Sequence, residues 1–195
     1  MDGTFRNQIE TPLLTTDETQ LELWLGNFNK QNSTHPPAAI PAIRTDLKAL
    51  DLTQDLVVWL GHSSYFVQLD GQRILIDPVF SANAAPVMRA NVAFEGTNVY
   101  GVDDVPEIDV LLNSHDHYDH LDYPTVTALQ PRVRQAIVGL GVGAHLEAWG
   151  YTSRPLHEAA WYEPVQARPA LPVHAPPPRP FSAPAFTRHQ TPRGG

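Results

Sequence analysis

Three histidines and one aspartate lie together in the pattern H-x-H-x-D-H, as His115, His117, Asp119 and His120. Imidazole and carboxylate groups are typical zinc ligands. One open catalytic zinc site takes three protein ligands and a water molecule, so two adjacent metals share four ligands more naturally. His115 and His117 would then bind the first metal, and Asp119 and His120 the second. Because such ions lower the pKa of bound water to about 7 and supply hydroxide at neutral pH, the cluster predicts a hydrolytic metal centre.

The elements around this cluster must bring its side chains together. An apolar segment, residues 109–112, directly precedes it and is typical of a buried strand. If the backbone stays extended beyond this strand, side chains alternate with a period of two, and His115, His117 and Asp119 share one side. A turn would then bring in His120. The alternative is a solvated histidine-rich loop that binds no particular ligand.

The rest of the chain predicts an α/β domain in which strands alternate with short helices. We predict strands and helices at the following positions: strands at 56–60, 64–69, 73–76, 109–112 and 135–140, and helices at 15–30, 141–149 and after Asp122 as N-cap. Asp70-Gly71 between two of these strands indicates a hairpin. The strands at 56–60 and 109–112 are expected to be buried on both faces, because their apolar residues do not alternate with polar ones.

Composition excludes several classes of protein. The chain has 195 residues, 42% of them apolar, with no cysteine and a net charge of −8, which argues against a nucleic-acid binder, disulfides and a cysteine nucleophile. It has no apolar segment long enough to span a membrane. The start is polar, without a visible secretory signal, so the expected location is cytoplasmic. The charge balance changes from −12 in residues 1–122 to +4 in residues 123–195, and proline becomes frequent from Pro155 onwards.

The wider context of the cluster resembles a known family. The segments that carry the resemblance are residues 59–64 (WLGHSS), 74–80 (ILIDPVF) and 108–112 (IDVLL), followed by the cluster. Together they resemble the metallo-β-lactamase superfamily, in the branch that contains N-acyl-phosphatidylethanolamine phospholipase D and the ascorbate-phosphate lactonases. The resemblance implies a four-layer αββα sandwich and a two-zinc site. It also implies hydrolysis of a phosphodiester, ester or lactone in a small-molecule or lipid-derived substrate. We divide the chain into an N-terminal extension with one helix (1–54) and a metallo-β-lactamase-like domain (55–195).

The resemblance also assigns roles to individual residues. His115 and His117 match the ligands of the first zinc ion, and Asp119 and His120 match ligands of the second. Asp119 is in addition the catalytic residue that would orient the attacking water. Two further residues are candidates for the pocket or its support. Asp77 matches an acidic residue that buttresses the metal loop, or is simply the start of a turn before a proline, and His62 lines the pocket or is structural.

The last part of the chain departs from the family pattern. Pro180 occupies the position of a third histidine ligand, and proline offers no ligand atom. No aspartate follows Asp122 to bridge the metals, and His174 and His189 are the available substitutes. We therefore expect a truncated, N-terminal part of the fold with incompletely liganded zinc sites. The alternative function is a non-catalytic metal-binding or interaction remnant, and an oligomer or partner would cover the exposed sheet.

Overall fold

Six strands form one mixed sheet in the order of the sequence. A computed structural model of the chain describes residues 36–85, 91–168 and 171–175. The strands are β1 (Leu56–Gly61), β2 (Ser64–Leu69), β3 (Gln72–Ile76), β4 (Ile108–Asn113), β5 (Val133–Gly139) and β6 (Leu156–Ala159). β1, β2 and β3 pair antiparallel, whereas β3 to β6 are parallel. Two helices, α1 (Tyr123–Leu129) and α2 (Gly143–Ala148), lie in the β4–β5 and β5–β6 crossovers. The chain is therefore an α/β protein, as predicted.

The hairpin predicted at Asp70-Gly71 is confirmed. Both residues have positive φ angles, 51° for Asp70 and 67° for Gly71. A two-residue turn of this kind matches the right-handed twist of the flanking strands, and it favours glycine at the second position. β2 and β3 consequently pair in register up to Leu69 and Gln72, which flank the turn.

The helices cover one face of the sheet and bury the main core there. Alternate strand residues such as Phe66, Leu75 and Leu111 meet Val126 and Leu146 of the two helices, and all five are fully buried. Short 3₁₀ turns at Val102–Asp104 and Gln130–Arg132 complete this layer.

The predicted N-cap position of Asp122 is confirmed, whereas its side chain has a different role. Asp122 does occupy the N-cap position of α1, but its side chain accepts no hydrogen bond from the helix backbone. Its Oδ2 instead accepts hydrogen bonds from the Thr125 hydroxyl and from the Ser81 backbone N–H, at 3.1 Å for the latter. The carboxylate thus joins the helix to the loop after β3 rather than capping the helix.

The opposite face of the sheet is covered only in part. The prediction that residues 56–60 are buried on both faces is wrong, because Val57 and Trp59 of β1 are 65% and 60% exposed. The same prediction holds for β4, where Val110 and Leu111 on opposite faces are both fully buried. Both strands have apolar sequences, but β4 is central in the sheet and β1 is at its edge. Among the described residues, no layer covers the second face of β1. The apolar sequence alone therefore did not predict which strand is buried on both faces. The oligomer or partner expected on this face stays a prediction.

A second hairpin follows where no further strands were predicted. β7 (Pro164–Arg168) and β8 (Leu171–His174) form a two-stranded sheet, and Ala167 packs with Val110 and Ile137 on the second face of the main sheet. Prolines are tolerated at the start of a strand and at sheet edges, which a two-stranded sheet has on both sides. The predicted helix at 15–30, Pro180 and His189 lie outside the described residues. Within the described ranges, no helix is long and apolar enough to cross a membrane.

Candidate metal centre

The candidate site lies at one edge of the main sheet, where three strands end. β1 and β3 are both antiparallel to β2, and β4 is parallel to β3, so all three run in the same direction. Their carboxyl ends therefore meet at the same edge. Each end is followed by a predicted site residue or segment: His62 after β1, Asp77 after β3 and residues 115–120 after β4.

A turn, rather than extended backbone, brings the cluster together. β4 ends at Asn113, and the backbone N–H groups of His120 and Leu121 both donate to the carbonyl of His117, at 2.9 and 2.7 Å. The prediction of extended backbone through Asp119 is therefore wrong, because these hydrogen bonds fold residues 117–121 back on themselves. The turn places the His115 ring centroid 4.0 Å from that of His120 and 4.5 Å from that of His117.

Asp77 holds the loop that carries the cluster. The residue is buried, with 4% of its surface exposed. Oδ1 accepts hydrogen bonds from the Asn113 side-chain amide at 3.1 Å and the Ser114 backbone N–H at 2.7 Å. Oδ2 lies 2.6 Å from the Ser114 hydroxyl and 2.9 Å from Nδ1 of His120. Of the two interpretations of Asp77, these contacts support the buttress, although its φ of +41° also marks a turn.

The same contacts determine which nitrogen atoms of two histidines remain available. Because the Asp77 carboxylate only accepts, His120 donates its Nδ1–H to it. The Ser114 hydroxyl donates to Asp77, so it accepts from Nδ1 of His115, which lies 2.9 Å away. Both imidazoles then present an unprotonated Nε2. This is the arrangement in which metal-binding histidines are held by their other ring nitrogen.

The ionisation of the site suits a cation. Burial, reinforced by neighbouring His120 and His117, lowers the pKa of His115 to about 4, so its imidazole is neutral at pH 7. Burial raises the pKa of Asp119, but the hydrogen bond from its own backbone amide, the electrostatic interaction with the neighbouring His120 ring and the hydrogen bond from His62 outweigh this effect. The pKa of Asp119 therefore lies below its usual value, and the side chain is a carboxylate. Neutral imidazole and carboxylate are the forms that bind metal.

His62 joins the cluster from the β1–β2 turn. Its Nε2 lies 3.0 Å from Oδ2 of Asp119. The adjacent Ser63 hydroxyl donates to the Asp119 carbonyl at 3.0 Å. Side-chain donor atoms of His62, Asp119 and His120 all lie within 4.8 Å of one another and form a group that is able to hold a metal ion. This grouping differs from the predicted pairs, since it adds His62 to the predicted second-metal pair.

An apolar cavity of about 600 Å³ opens beside this group. His62 and Asp119 line it together with apolar side chains that include Trp59, Val79 and Phe94. His174, a predicted substitute ligand, is exposed at the end of β8.

Some residues of the site were not singled out from the sequence. Ser114 contacts Asp77 and His115, and the buried Ser64 accepts from the Val79 N–H at 3.0 Å and donates to the Asp77 carbonyl at 2.7 Å. Ser64 lies in a segment that carried the family resemblance and Ser114 directly precedes the cluster, but serines are common in turns. No spacing rule distinguishes a serine that supports a site from one that terminates a strand.

A family model identifies the family of the chain. Residues 72–195 match the family model described as the Beta-lactamase superfamily domain. The chain therefore belongs to the β-lactamase superfamily, as the sequence segments indicated.

Individual relatives match parts of the chain. An uncharacterized protein of Mycobacterium tuberculosis (strain ATCC 25618 / H37Rv) is 34% identical over 192 residues, which cover 97% of this chain and 51% of that protein. The N-acyl-phosphatidylethanolamine-hydrolyzing phospholipase D 1 of Caenorhabditis elegans is 36% identical over 79 residues, 39% of this chain and 22% of that enzyme. Among solved structures, the diiron β-hydroxylase CmlA of Streptomyces venezuelae is 27% identical with a TM-score of 0.42, over 58% of this chain and 22% of that one. The chain thus spans about half the length of the mycobacterial relative.

Proposed function

We propose that the chain carries the metal-binding half of a zinc-dependent hydrolase that cleaves a phosphodiester, ester or lactone. His115 and His117 would hold the first zinc ion, and Asp119 and His120 would belong to the second site. The observation that carries the proposal is that one pair of residues, Asp77 and Ser114, orients two of the predicted histidine ligands. The Asp77–Ser114 pair fixes Nδ1 of both His115 and His120 and leaves both Nε2 atoms free.

The donor set fits divalent zinc in both type and charge. Three imidazoles and one carboxylate are nitrogen and oxygen donors, which zinc accepts readily and which iron and manganese also accept. When bound, such a metal acts as a Lewis acid and makes hydroxide available at neutral pH. The Asp119 carboxylate lines the cavity, where it would accept a proton from an attacking water or orient it.

The cavity supports a substrate with an apolar portion. Trp59, Val79 and Phe94 would exclude water from an acyl, alkyl or aromatic group, while His62 and Asp119 face the reacting end. A small-molecule or lipid-derived ester fits this division into an apolar and a polar half.

We expect metal-dependent hydrolysis from the unaltered chain. The substrates are bis(4-nitrophenyl) phosphate, 4-nitrophenyl butyrate and a γ-lactone, measured with zinc, iron(II) and manganese in turn. Hydrolysis of at least one compound should disappear after dialysis against a chelator and return when one metal is added back, because the metal supplies the nucleophile.

Two outcomes would change this proposal. Hydrolysis that survives chelation would show that a different chemistry operates. Stoichiometric metal binding without hydrolysis of any of the three classes would instead favour the non-catalytic metal-binding remnant.

A further inference from the structure

The β1–β2 turn has an unusual backbone at the position where it meets the candidate site. His62 has a φ of +43° and follows Gly61, whose φ is +107°. Residues other than glycine rarely adopt this left-handed conformation, although asparagine, aspartate and histidine tolerate it better than most. Such conformations persist where the surrounding structure enforces them, and they cluster at functional sites.

Contacts on both sides enforce this conformation. The Trp59 indole N–H donates to the His62 carbonyl at 2.9 Å, and the Ser63 hydroxyl donates to the Asp119 carbonyl at 3.0 Å. The turn is thereby fixed to β1 at one end and to the cluster loop at the other. The fixed turn holds the imidazole of His62 against Asp119. The centroid of the His62 ring then lies 5.8 Å from that of the His120 ring.

Donor spacing in this group suits a shared ion. Two ligands at 2.0–2.2 Å from one tetrahedral zinc ion stand roughly 3.4 Å apart. Nε2 of His62 and Oδ2 of Asp119 share a hydrogen bond of 3.0 Å, and the donors of all three residues lie within 4.8 Å. An ion would replace the proton of this hydrogen bond, and His62 would then keep its proton on Nδ1. A small approach of side chains on a half-exposed turn would bring all three to bonding distance. His62 is 55% exposed in its side chain, so its ring has room to adjust.

We propose that His62 is a metal ligand of the second site and completes a three-residue set with Asp119 and His120. The left-handed backbone of His62 is retained because it aims the imidazole at this ion. The inference rests on the proposed function, since it assigns a further ligand to the same metal centre.

Two variants and one control test this proposal on the full chain. His62→Gly removes the imidazole and relieves the backbone, and His62→Asn removes the imidazole while tolerating the left-handed conformation. The matched control is Asp70→Gly, which relieves a φ of +51° in the β2–β3 turn at the opposite edge of the sheet. Cobalt(II) is titrated into metal-free protein and followed by its visible d–d absorption, and zinc affinity is measured by competition with a chromophoric chelator.

We expect both His62 variants to raise the dissociation constant of one metal site at least tenfold and to alter the cobalt spectrum. The melting temperature of metal-free His62→Gly should equal or exceed that of the unaltered chain. Asp70→Gly should leave the dissociation constants and the spectrum unchanged.

The possible failures are distinguishable. Unchanged spectra and dissociation constants within twofold of the unaltered chain in both His62 variants would overturn the proposal while leaving the proposed function intact. An unaltered chain that takes up no cobalt or zinc would overturn both.

Discussion

Replacing Asp77 with asparagine is expected to weaken metal binding at least tenfold while leaving the fold largely intact. Asparagine keeps the shape of the side chain, and its Oδ1 still accepts from Asn113 and Ser114. The new Nδ2 group would face Nδ1 of His120, where two donors cannot pair. His120 must then adopt the tautomer that carries its proton on Nε2. The Nε2 lone pair is then no longer available to bind the ion. Loss of such a supporting partner typically costs 10- to 100-fold in metal affinity.

Asp77→Ala should act mainly on stability instead. It leaves the Ser114 N–H, the Asn113 amide and the His120 ring without their buried acceptor. Each unsatisfied donor costs about 1–3 kcal/mol, so we expect the free energy of unfolding to fall by about 3 kcal/mol or more. Denaturant unfolding and chelator competition measure the two effects separately. Asp103→Asn, whose side chain is fully exposed, is the control and should change neither. Tight zinc binding by Asp77→Asn would contradict the buttress role of Asp77.

The second large effect is expected for His117→Ala. Its ring packs 4.5 Å from that of His115 and belongs to the proposed first metal pair. Removing one of two protein ligands should release the first ion and lower kcat/KM by at least about 10³-fold, or about 4 kcal/mol of transition-state stabilisation. The measurement uses whichever of the three substrate classes the unaltered chain hydrolyses fastest.

An exposed histidine provides the control for this variant. His157 on β6 is exposed, and His157→Ala should retain activity within twofold. If His117→Ala kept a third or more of the activity, the first metal pair would be assigned incorrectly.

Local signals in the sequence were sufficient for much of the sheet. The β2–β3 hairpin follows from two turn residues with the required backbone freedom, and β4 follows from an uninterrupted apolar segment. The family segments identified the superfamily because they lie at the strand ends that meet at the site. These features depend on neighbours in the chain, so one sequence contains them.

Features that depend on distant contacts were beyond local patterns. The exposure of Val57 and Trp59 depends on what covers the second face of the sheet, and the residues themselves resemble any buried strand. The β7–β8 hairpin was missed because its prolines obscure the strand pattern, although a two-stranded edge accommodates them.

The site shows the same division between local and distant information. The pattern of four ligands was visible, but the turn that folds them together was not, because its hydrogen bonds from residues 120 and 121 to His117 replace an equally plausible extended backbone. His62 lies 57 positions before Asp119 and meets it only because β1 and β4 end at the same edge.

Metal content of the purified chain tests the central claim most directly. The chain is supplemented with zinc, iron(II) or manganese, dialysed extensively and measured by inductively coupled plasma mass spectrometry, beside a variant that combines His115→Ala with His120→Ala. We predict at least one equivalent of tightly bound metal, with zinc retained best, and loss of that metal in the double variant. A chain that holds no metal above the level of the double variant would contradict the assignment of a metal centre to this edge of the sheet.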